Sequence, residues 1–203
     1  MAYAKYIAAL VLGAYSLSAQ STLLDRGGGF IYDDVLNITW TQDANINGPG
    51  NWPTQVAWVA SLSITDTRPG AGGVIYTDWR LPSMNVNGDN LIVNCSTAPD
   101  LACQDNEYGY LYHQYDVTAA TPGLFTNFQS PHYWSSTEDN VDPMNAWFYY
   151  FTNGDQAHGT IGSSYYALAV RLGDVSVVPI PAAFWLFGSA LGLLGWMKRR
   201  KAA

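Results

Sequence analysis

Positive charge is almost absent from most of this 203-residue sequence. Segment 20–177 contains no lysine and holds all sixteen acidic residues, so its net charge is −12 against −7 for the whole chain. Its only basic residues are four arginines: Arg26, Arg68, Arg80 and Arg171. A surface of this charge repels nucleic acid and sulfated glycans at long range. It suits an extracellular protein that meets neutral sugars or divalent cations.

Catalytic motifs are also missing. The sequence contains no G-x-S-x-G, no H-E-x-x-H and no cysteine and histidine at a recognisable catalytic spacing. These absences favour a non-enzymatic protein. A hydrolase or glycan-modifying enzyme whose site follows none of these patterns is the least favoured alternative.

Residues 1–19 have the composition of a secretory signal peptide. Lys5 supplies the positive charge, residues 7–14 form a short apolar run, and residues 16–19 are small enough for cleavage. The apolar run is too short for a retained transmembrane helix. We therefore expect segment 20–177 to be exported as one domain.

Only two cysteines occur, Cys95 and Cys103. Because an exported protein meets an oxidising compartment, a disulfide bond between them is the default expectation. Closing this short loop would stabilise the domain by roughly 2–3 kcal/mol in the chain-entropy model. A metal site is the less favoured alternative, because no histidine stands at zinc-ligand spacing from the pair.

The C-terminal segment 178–203 combines a long apolar run with a cationic end. No charged residue occurs from position 180 to 197, and eighteen helical residues span about 27 Å, close to the roughly 30 Å of a bilayer core. The run ends in four cations that favour the cytoplasmic side, Lys198, Arg199, Arg200 and Lys201. The sequence predicts a transmembrane helix. A buried helix of a soluble domain is the alternative, but it would show a polar face.

The order Val178-Pro179-x-Pro181, apolar helix and basic cluster resembles the PEP-CTERM sorting signal of Gram-negative bacteria. Ile180 stands where the commonest form of that motif has glutamate. The resemblance implies an exosortase as processing partner, a location at the cell envelope or cell surface, and a setting in bacteria that make exopolysaccharide.

The pattern of apolar residues and turn residues in segment 20–177 predicts an α+β domain with two helices and a mostly antiparallel sheet. One helix begins at Pro53 and the second covers Glu107–Tyr115. Asn153-Gly154 predicts a hairpin turn. Strands are expected at 30–32, 37–41, 79–81, 133–137, 146–152 and 166–171.

Several short motifs occur in order along this domain. They include Trp40-Thr41-Gln42-Asp43-Ala44, Asp78-Trp79-Arg80-Leu81-Pro82, Glu107-Tyr108-Gly109-Tyr110 and Tyr133-Trp134-Ser135-Ser136-Thr137. In this order they resemble the Lcl C-terminal domain family, which is similar to C-type-lectin-like folds. The family's founding adhesin is associated with sulfated glycans. That ligand is not expected here, because the charge of −12 would repel it.

Aromatic residues offer two interpretations, because their rings either stack on sugars or build the core. We expect the core for five tryptophans: Trp40, Trp58, Trp79, Trp134 and Trp147. Partial exposure is expected for Trp52, Tyr108, Tyr110, Tyr112 and Tyr115. Arg80 and Arg171 are expected to pair with carboxylates such as Asp78 or Asp43 rather than to bind an acidic ligand.

Glu138, Asp139 and Asp142 form a dense group of oxygen ligands after a predicted strand. Calcium takes six to eight oxygen ligands from such loops, so Ca²⁺ is the one cofactor that the sequence suggests. The alternative is a solvated acidic loop.

These observations together predict a surface-anchored binding or matrix protein that engages extracellular polysaccharide and no nucleic acid. A purely structural surface protein without a small ligand is the alternative.

Deletion of 178–203 should release a folded domain into the medium, because the predicted core lies upstream of the tail. Neutral residues at positions 198–201 should weaken membrane retention without unfolding the domain. Fractionation of expressing cells and blotting for the domain measures both effects. A truncated protein that stays tightly membrane-bound after signal-peptide removal would place the anchor elsewhere.

Overall fold

Antiparallel sheets and short helices make up residues 22–129 and 132–175, the part of the chain that the computed structural model describes. The helices are α1 (Trp52–Ser61), α2 (Asp100–Cys103) and α3 (Glu107–Tyr115). The strands are β1 (Leu23–Gly27), β2 (Phe30–Asp33), β3 (Ile38–Thr41), β4 (Ile64–Thr65), β5 (Ile75–Tyr76), β6 (His132–Glu138), β7 (Asn145–Tyr150), β8 (Asp155–Thr160) and β9 (Val170–Leu172).

The first sheet has the order β1-β2-β3-β9, so the last strand pairs with the third. Asp33 Oδ1 holds the β2–β3 turn by accepting hydrogen bonds from the backbone N–H groups of Val35 (3.1 Å) and Leu36 (2.9 Å). Asn37 completes the turn at φ +52°, a conformation that asparagine tolerates better than most residues. The two strands predicted around this turn are confirmed.

The second sheet has the order β6-β7-β8. The predicted hairpin turn after β7 is confirmed, with the Gly154 N–H donating to the Tyr150 carbonyl at 2.9 Å. Strand β8 was not predicted, because Asp-Gln-Ala-His-Gly-Thr shows no alternation of apolar residues. Its register comes from β7, along which it forms the edge. The small β4–β5 sheet was missed for a similar reason, since each strand has two residues.

Isolated backbone bridges add single residues to each sheet. Arg80 and Val170 of β9 exchange N–H to O bonds of 2.8 Å in both directions, and Tyr166 bridges Tyr133 of β6. The strand predicted at 79–81 is therefore a single bridge. Of the strand predicted at 166–171, the regular part begins only at Val170.

Two clusters of buried side chains form most of the core. Trp40 belongs to the first, and Trp79 and Trp134 belong to the second, as predicted. Trp58 and Trp147 only pack against the edges of these clusters and are half-buried, which corrects their assignment to the core.

The tyrosines of α3 are more buried than the sequence suggested. Tyr108 and Tyr110 are fully buried, whereas Tyr112 and Tyr115 are half-buried. The Tyr108 hydroxyl donates to the Trp134 carbonyl at 3.1 Å, so its polar group is satisfied inside the core. Burial raises the pKa of Tyr108 well above its usual value. An alternating tyrosine pattern gave no means of distinguishing a buried helix from an exposed one.

Helix α3 packs against the disulfide bond between Cys95 and Cys103, which confirms the predicted pairing. Cys103 ends the short helix α2, which the sequence did not predict because four residues show no helical periodicity. Helices α1 and α3 were predicted. Asn51 caps α1 by accepting from the Thr54 N–H at 2.9 Å, with Pro53 in the first turn.

Among residues 22–129 and 132–175, no helix has the length and apolar character needed to cross a bilayer. The predicted signal peptide, 1–19, and the predicted sorting segment, 178–203, lie outside the described residues.

Gly109 leaves room for the disulfide. A Cβ at this position would lie 2.7 Å from Cys95 Sγ and 3.0 Å from the side chain of Asn106. Gly109→Ala should therefore lower the free energy of unfolding by about 1–3 kcal/mol, although alanine favours a helix. Urea denaturation measures the change. The control is Gly162→Ala, whose Cβ would meet no atom within 4 Å. Equal stability of both variants would show that the contact relaxes freely.

Candidate functional site

Each of the four arginines of the domain forms an ion pair within the described chain, as was expected for Arg80 and Arg171. The pairs are Arg26–Asp174 (2.6 Å), Arg68–Asp66 (2.6 Å), Arg80–Glu107 (2.6 Å) and Arg171–Asp78 (2.8 Å). Hydrogen bonds from Arg68 lower the pKa of Asp66, and those from Arg171 lower the pKa of Asp78. The described domain thus has no arginine without a carboxylate partner.

The predicted pairing of Arg171 with Asp78 is confirmed. Arg80 pairs with Glu107 rather than with Asp78 or Asp43. The sequence did not indicate this partner, because Glu107 lies 27 residues from Arg80, at the start of α3.

The loop after β6 does not gather the carboxylates of the predicted calcium site. Asp139 Oδ2 lies 2.8 Å from His158 Nδ1, and Asp142 accepts from the Met144 N–H at 3.0 Å. Among the residues that the structure describes, no group of three or more histidine, cysteine, aspartate or glutamate side chains could hold a metal ion. The loop uses its oxygens to fix its own backbone.

Several aromatic rings form a column on the second sheet. His132 lies between Tyr150 and Tyr165, with 4.6 Å between ring centroids on each side, and Tyr165 also contacts Trp134 at 4.6 Å. Burial lowers the pKa of His132. Because these rings face one another, most of their stacking surface is occupied within the domain.

A shallow groove of about 620 Å³ runs along α1. We call it the α1 groove; its lining consists of Asn47, Asn51, Pro53, Thr54, Ala57, Trp58 and Ser61. None of these side chains carries a charge, although the domain around them has a net charge of −12. The groove is therefore suited to a neutral, polar ligand.

Gln55 fixes the wall of the α1 groove. Its side chain is fully buried, and its Nε2 donates to the carbonyls of Gly48 (2.8 Å) and Tyr165 (3.0 Å). Its Oε1 accepts a hydrogen bond from Asn47 Nδ2 at 3.0 Å. These three bonds hold the loop before α1 and the backbone of Tyr165 against the helix.

Trp58 differs from the other tryptophans in the described ranges. The others form an indole N–H bond or a ring contact: Trp40, Trp52, Trp79, Trp134 and Trp147. Within the described residues Trp58 forms neither, although its half-buried ring packs against the second core cluster. One part of the indole is thus held in place while its N–H and groove side are unused.

Side-chain spacing on α1 could have identified this site. Trp58 shares a helical face with Thr54, four residues before it, and with Ser61, three residues after it, and Ala57 lies at three and four residues from this pair. Val56 and Val59 point away from that face. The assignment of Trp58 to the core relied on its place in a predicted helix and overlooked its small and polar neighbours.

The architecture defines a small mixed domain of antiparallel sheets and short helices. A sequence profile of the Lcl C-terminal domain matches residues 29–171, more than two thirds of the chain. The chain therefore belongs to the Lcl C-terminal domain family. Comparison with curated proteins gives no match.

Three of the motifs that carry the family resemblance meet inside the domain. Arg80 of the Asp78–Pro82 motif pairs with Glu107, which opens the next motif, and the Ser136 N–H of the Tyr133–Thr137 motif donates to the Pro82 carbonyl at 2.8 Å. These contacts give the motifs a structural role.

Removal of Glu107 should show how much of the stability depends on this centre. Glu107 is almost completely buried, whereas the Arg80 side chain is 34% exposed. Glu107→Ala should therefore lower the free energy of unfolding by about 2–4 kcal/mol, somewhat less than loss of a fully buried pair costs. Urea denaturation provides the measurement.

The matched control is Asp78→Ala, which removes a carboxylate that is 55% exposed in its pair with Arg171. Its cost should be about 0–1 kcal/mol, as for other surface pairs. Similar losses in both variants would contradict a special role for the Arg80–Glu107 pair.

Proposed function

We propose that this protein is a non-enzymatic, exported cell-envelope protein that binds a neutral saccharide of an extracellular polysaccharide in the α1 groove. The observation that carries the proposal is the position of Trp58 in an uncharged groove, with its indole N–H unused. Sugar rings present apolar faces that stack on aromatic rings, and their hydroxyl groups exchange hydrogen bonds with amides.

The groove offers suitable polar partners beside the indole. Asn51 Oδ1 is engaged in capping α1, which leaves its Nδ2 as a donor. Asn47 donates to Gln55, which leaves its Oδ1 as an acceptor. Neither remaining group forms a hydrogen bond within the described residues. A ring seated on Trp58 would thus meet both a donor and an acceptor.

Charge favours a neutral ligand over an acidic one. All four arginines of the domain are paired with carboxylates, so an anionic glycan would face a net charge of −12 without a compensating cation. Its approach would be opposed by long-range repulsion. A neutral sugar is not repelled by this charge.

Export is supported by the signal-like segment 1–19 and by the Cys95–Cys103 disulfide, since such bonds persist in oxidising compartments. Segment 178–203 would act as a PEP-CTERM-type sorting signal that spans the membrane and is recognised by an exosortase. The domain would adopt a C-type-lectin-like arrangement outside the membrane. A purely structural surface role predicts the same location without saccharide binding.

Trp58→Ala should weaken binding to a neutral glycan at least about tenfold, the equivalent of roughly 1.4 kcal/mol, because a stacking surface is lost. The full chain, solubilised in a zwitterionic detergent without sugar groups, is applied to an array of neutral and acidic glycans. Binding should persist in high salt, because the interaction involves no ion pair.

Trp147→Ala is the matched control, since Trp147 is also half-buried but lies on the second sheet beside His158. It should retain glycan binding as long as the variant remains folded, which circular dichroism checks. Absence of binding to every glycan by the folded wild-type chain would favour the purely structural role.

A further inference from the structure

Three Asn-Gly pairs occur in the chain, at 47–48, 87–88 and 153–154. In such pairs the backbone nitrogen of glycine can attack the side-chain carbonyl carbon of asparagine. A C–N bond forms, ammonia leaves and a cyclic succinimide results; water then opens the ring to aspartate or isoaspartate. Glycine permits this approach because it has no side chain. The reaction needs no co-reactant other than water.

The fold restrains two of these pairs. Asn153 Oδ1 accepts from the Asp155 N–H at 3.2 Å, and the attacking nitrogen of Gly154 is itself bonded to the Tyr150 carbonyl at 2.9 Å. Asn87 Oδ1 accepts from the Asp89 N–H at 2.8 Å. In each case a hydrogen bond must break before the side-chain carbonyl can turn toward the glycine nitrogen.

Asn47 lacks both restraints. Its side chain is exposed, its Oδ1 accepts no hydrogen bond within the described residues, and the Gly48 N–H donates none there. Gly48 has φ +72°, a conformation that favours glycine. The only hold on the Asn47 side chain is the bond from Nδ2 to Gln55 Oε1. We propose that Asn47 is a deamidation site, and that its conversion places a negative charge in the α1 groove.

Conversion would also disturb the wall of the groove. Asn47 Nδ2 supplies the hydrogen bond to Oε1 of the buried Gln55, and a carboxylate can only accept. The side-chain amide of Gln55 cannot rotate to present its Nε2 to the new carboxylate, because Nε2 is bonded to the carbonyls of Gly48 and Tyr165. A buried acceptor would lose its donor beside a new negative charge.

Peptide mapping by mass spectrometry tests the reaction. The folded full chain is incubated at neutral pH for increasing times, digested, and examined at all three asparagines for replacement of the amide by a carboxyl group. Conversion at Asn47 should be roughly tenfold faster than at Asn153, the factor that corresponds to one retained hydrogen bond. Asn87 should be intermediate. The reduced chain in urea is the control, where the three rates should converge.

Conversion of Asn153 or Asn87 as fast as Asn47 in the folded chain would overturn the proposal. The proposal would also be overturned if Asn47 remained intact in the folded chain but was converted in the urea-denatured chain. The structural consequence is tested with Asn47→Asp, whose melting temperature should fall by a few degrees. Asn87→Asp is the control, because its Nδ2 bond is exposed and long at 3.3 Å. An Asn47→Asp variant as stable as Asn87→Asp would contradict the role assigned to the Gln55 contact.

The effect on ligand binding rests on the proposed saccharide function. Asn47→Asp should weaken binding of a neutral glycan several-fold, because an acceptor replaces the amide and the groove wall loosens. The two proposals fail separately. Conversion at Asn47 without glycan binding by any form would retain the deamidation site and remove the saccharide function. Glycan binding by a chain whose Asn47 is not converted would retain the saccharide function and remove the deamidation site.

Discussion

The Arg80–Glu107 pair is the contact on which the rest of the domain depends. The Arg80 backbone bridges Val170 in the first sheet, while its guanidinium donates two hydrogen bonds to Glu107 at the start of α3. Glu107 also accepts from the Ser83 N–H at 2.6 Å. A sheet, a helix and an extended segment thus meet at one buried carboxylate. Its negative charge is further favoured by the N-terminus of the helix.

Local signals in the sequence were sufficient for some parts of this structure. The helix spanning Glu107–Tyr115, the turn at Asn153-Gly154 and the disulfide of Cys95 and Cys103 each depend on neighbouring residues or on a pair without competitors. Strand β8 was missed because its pairing comes from β7 and not from its own residues. The Glu107 partner of Arg80 was missed for the same reason, because the contact is tertiary.

The candidate site was harder to predict than the core. Trp40 and Trp134 lie in strands whose two faces are both covered, so a large aromatic residue was correctly assigned to the interior. Trp58 lies on an amphipathic helix, where its position relative to both faces decides between core and surface. Val59 marks the face of α1 that packs on the core, and Thr54 and Ser61 mark the face that lines the groove. The structure places the Trp58 ring at their boundary, half-buried and beside the groove.

Both the charge of the domain and the hydrogen bonds of its buried side chains require amide side chains in the α1 groove. A domain with a net charge of −12 and every arginine engaged can offer a neutral binding surface only through uncharged polar side chains, and here these include amides. An amide also satisfies Gln55, which ties the groove to the Tyr165 backbone. The same chemistry makes an exposed asparagine before glycine reactive. Restraint by the fold would slow that reaction, but Asn47 then could not present its carbonyl to a ligand. The availability of that carbonyl and its susceptibility therefore have one structural cause.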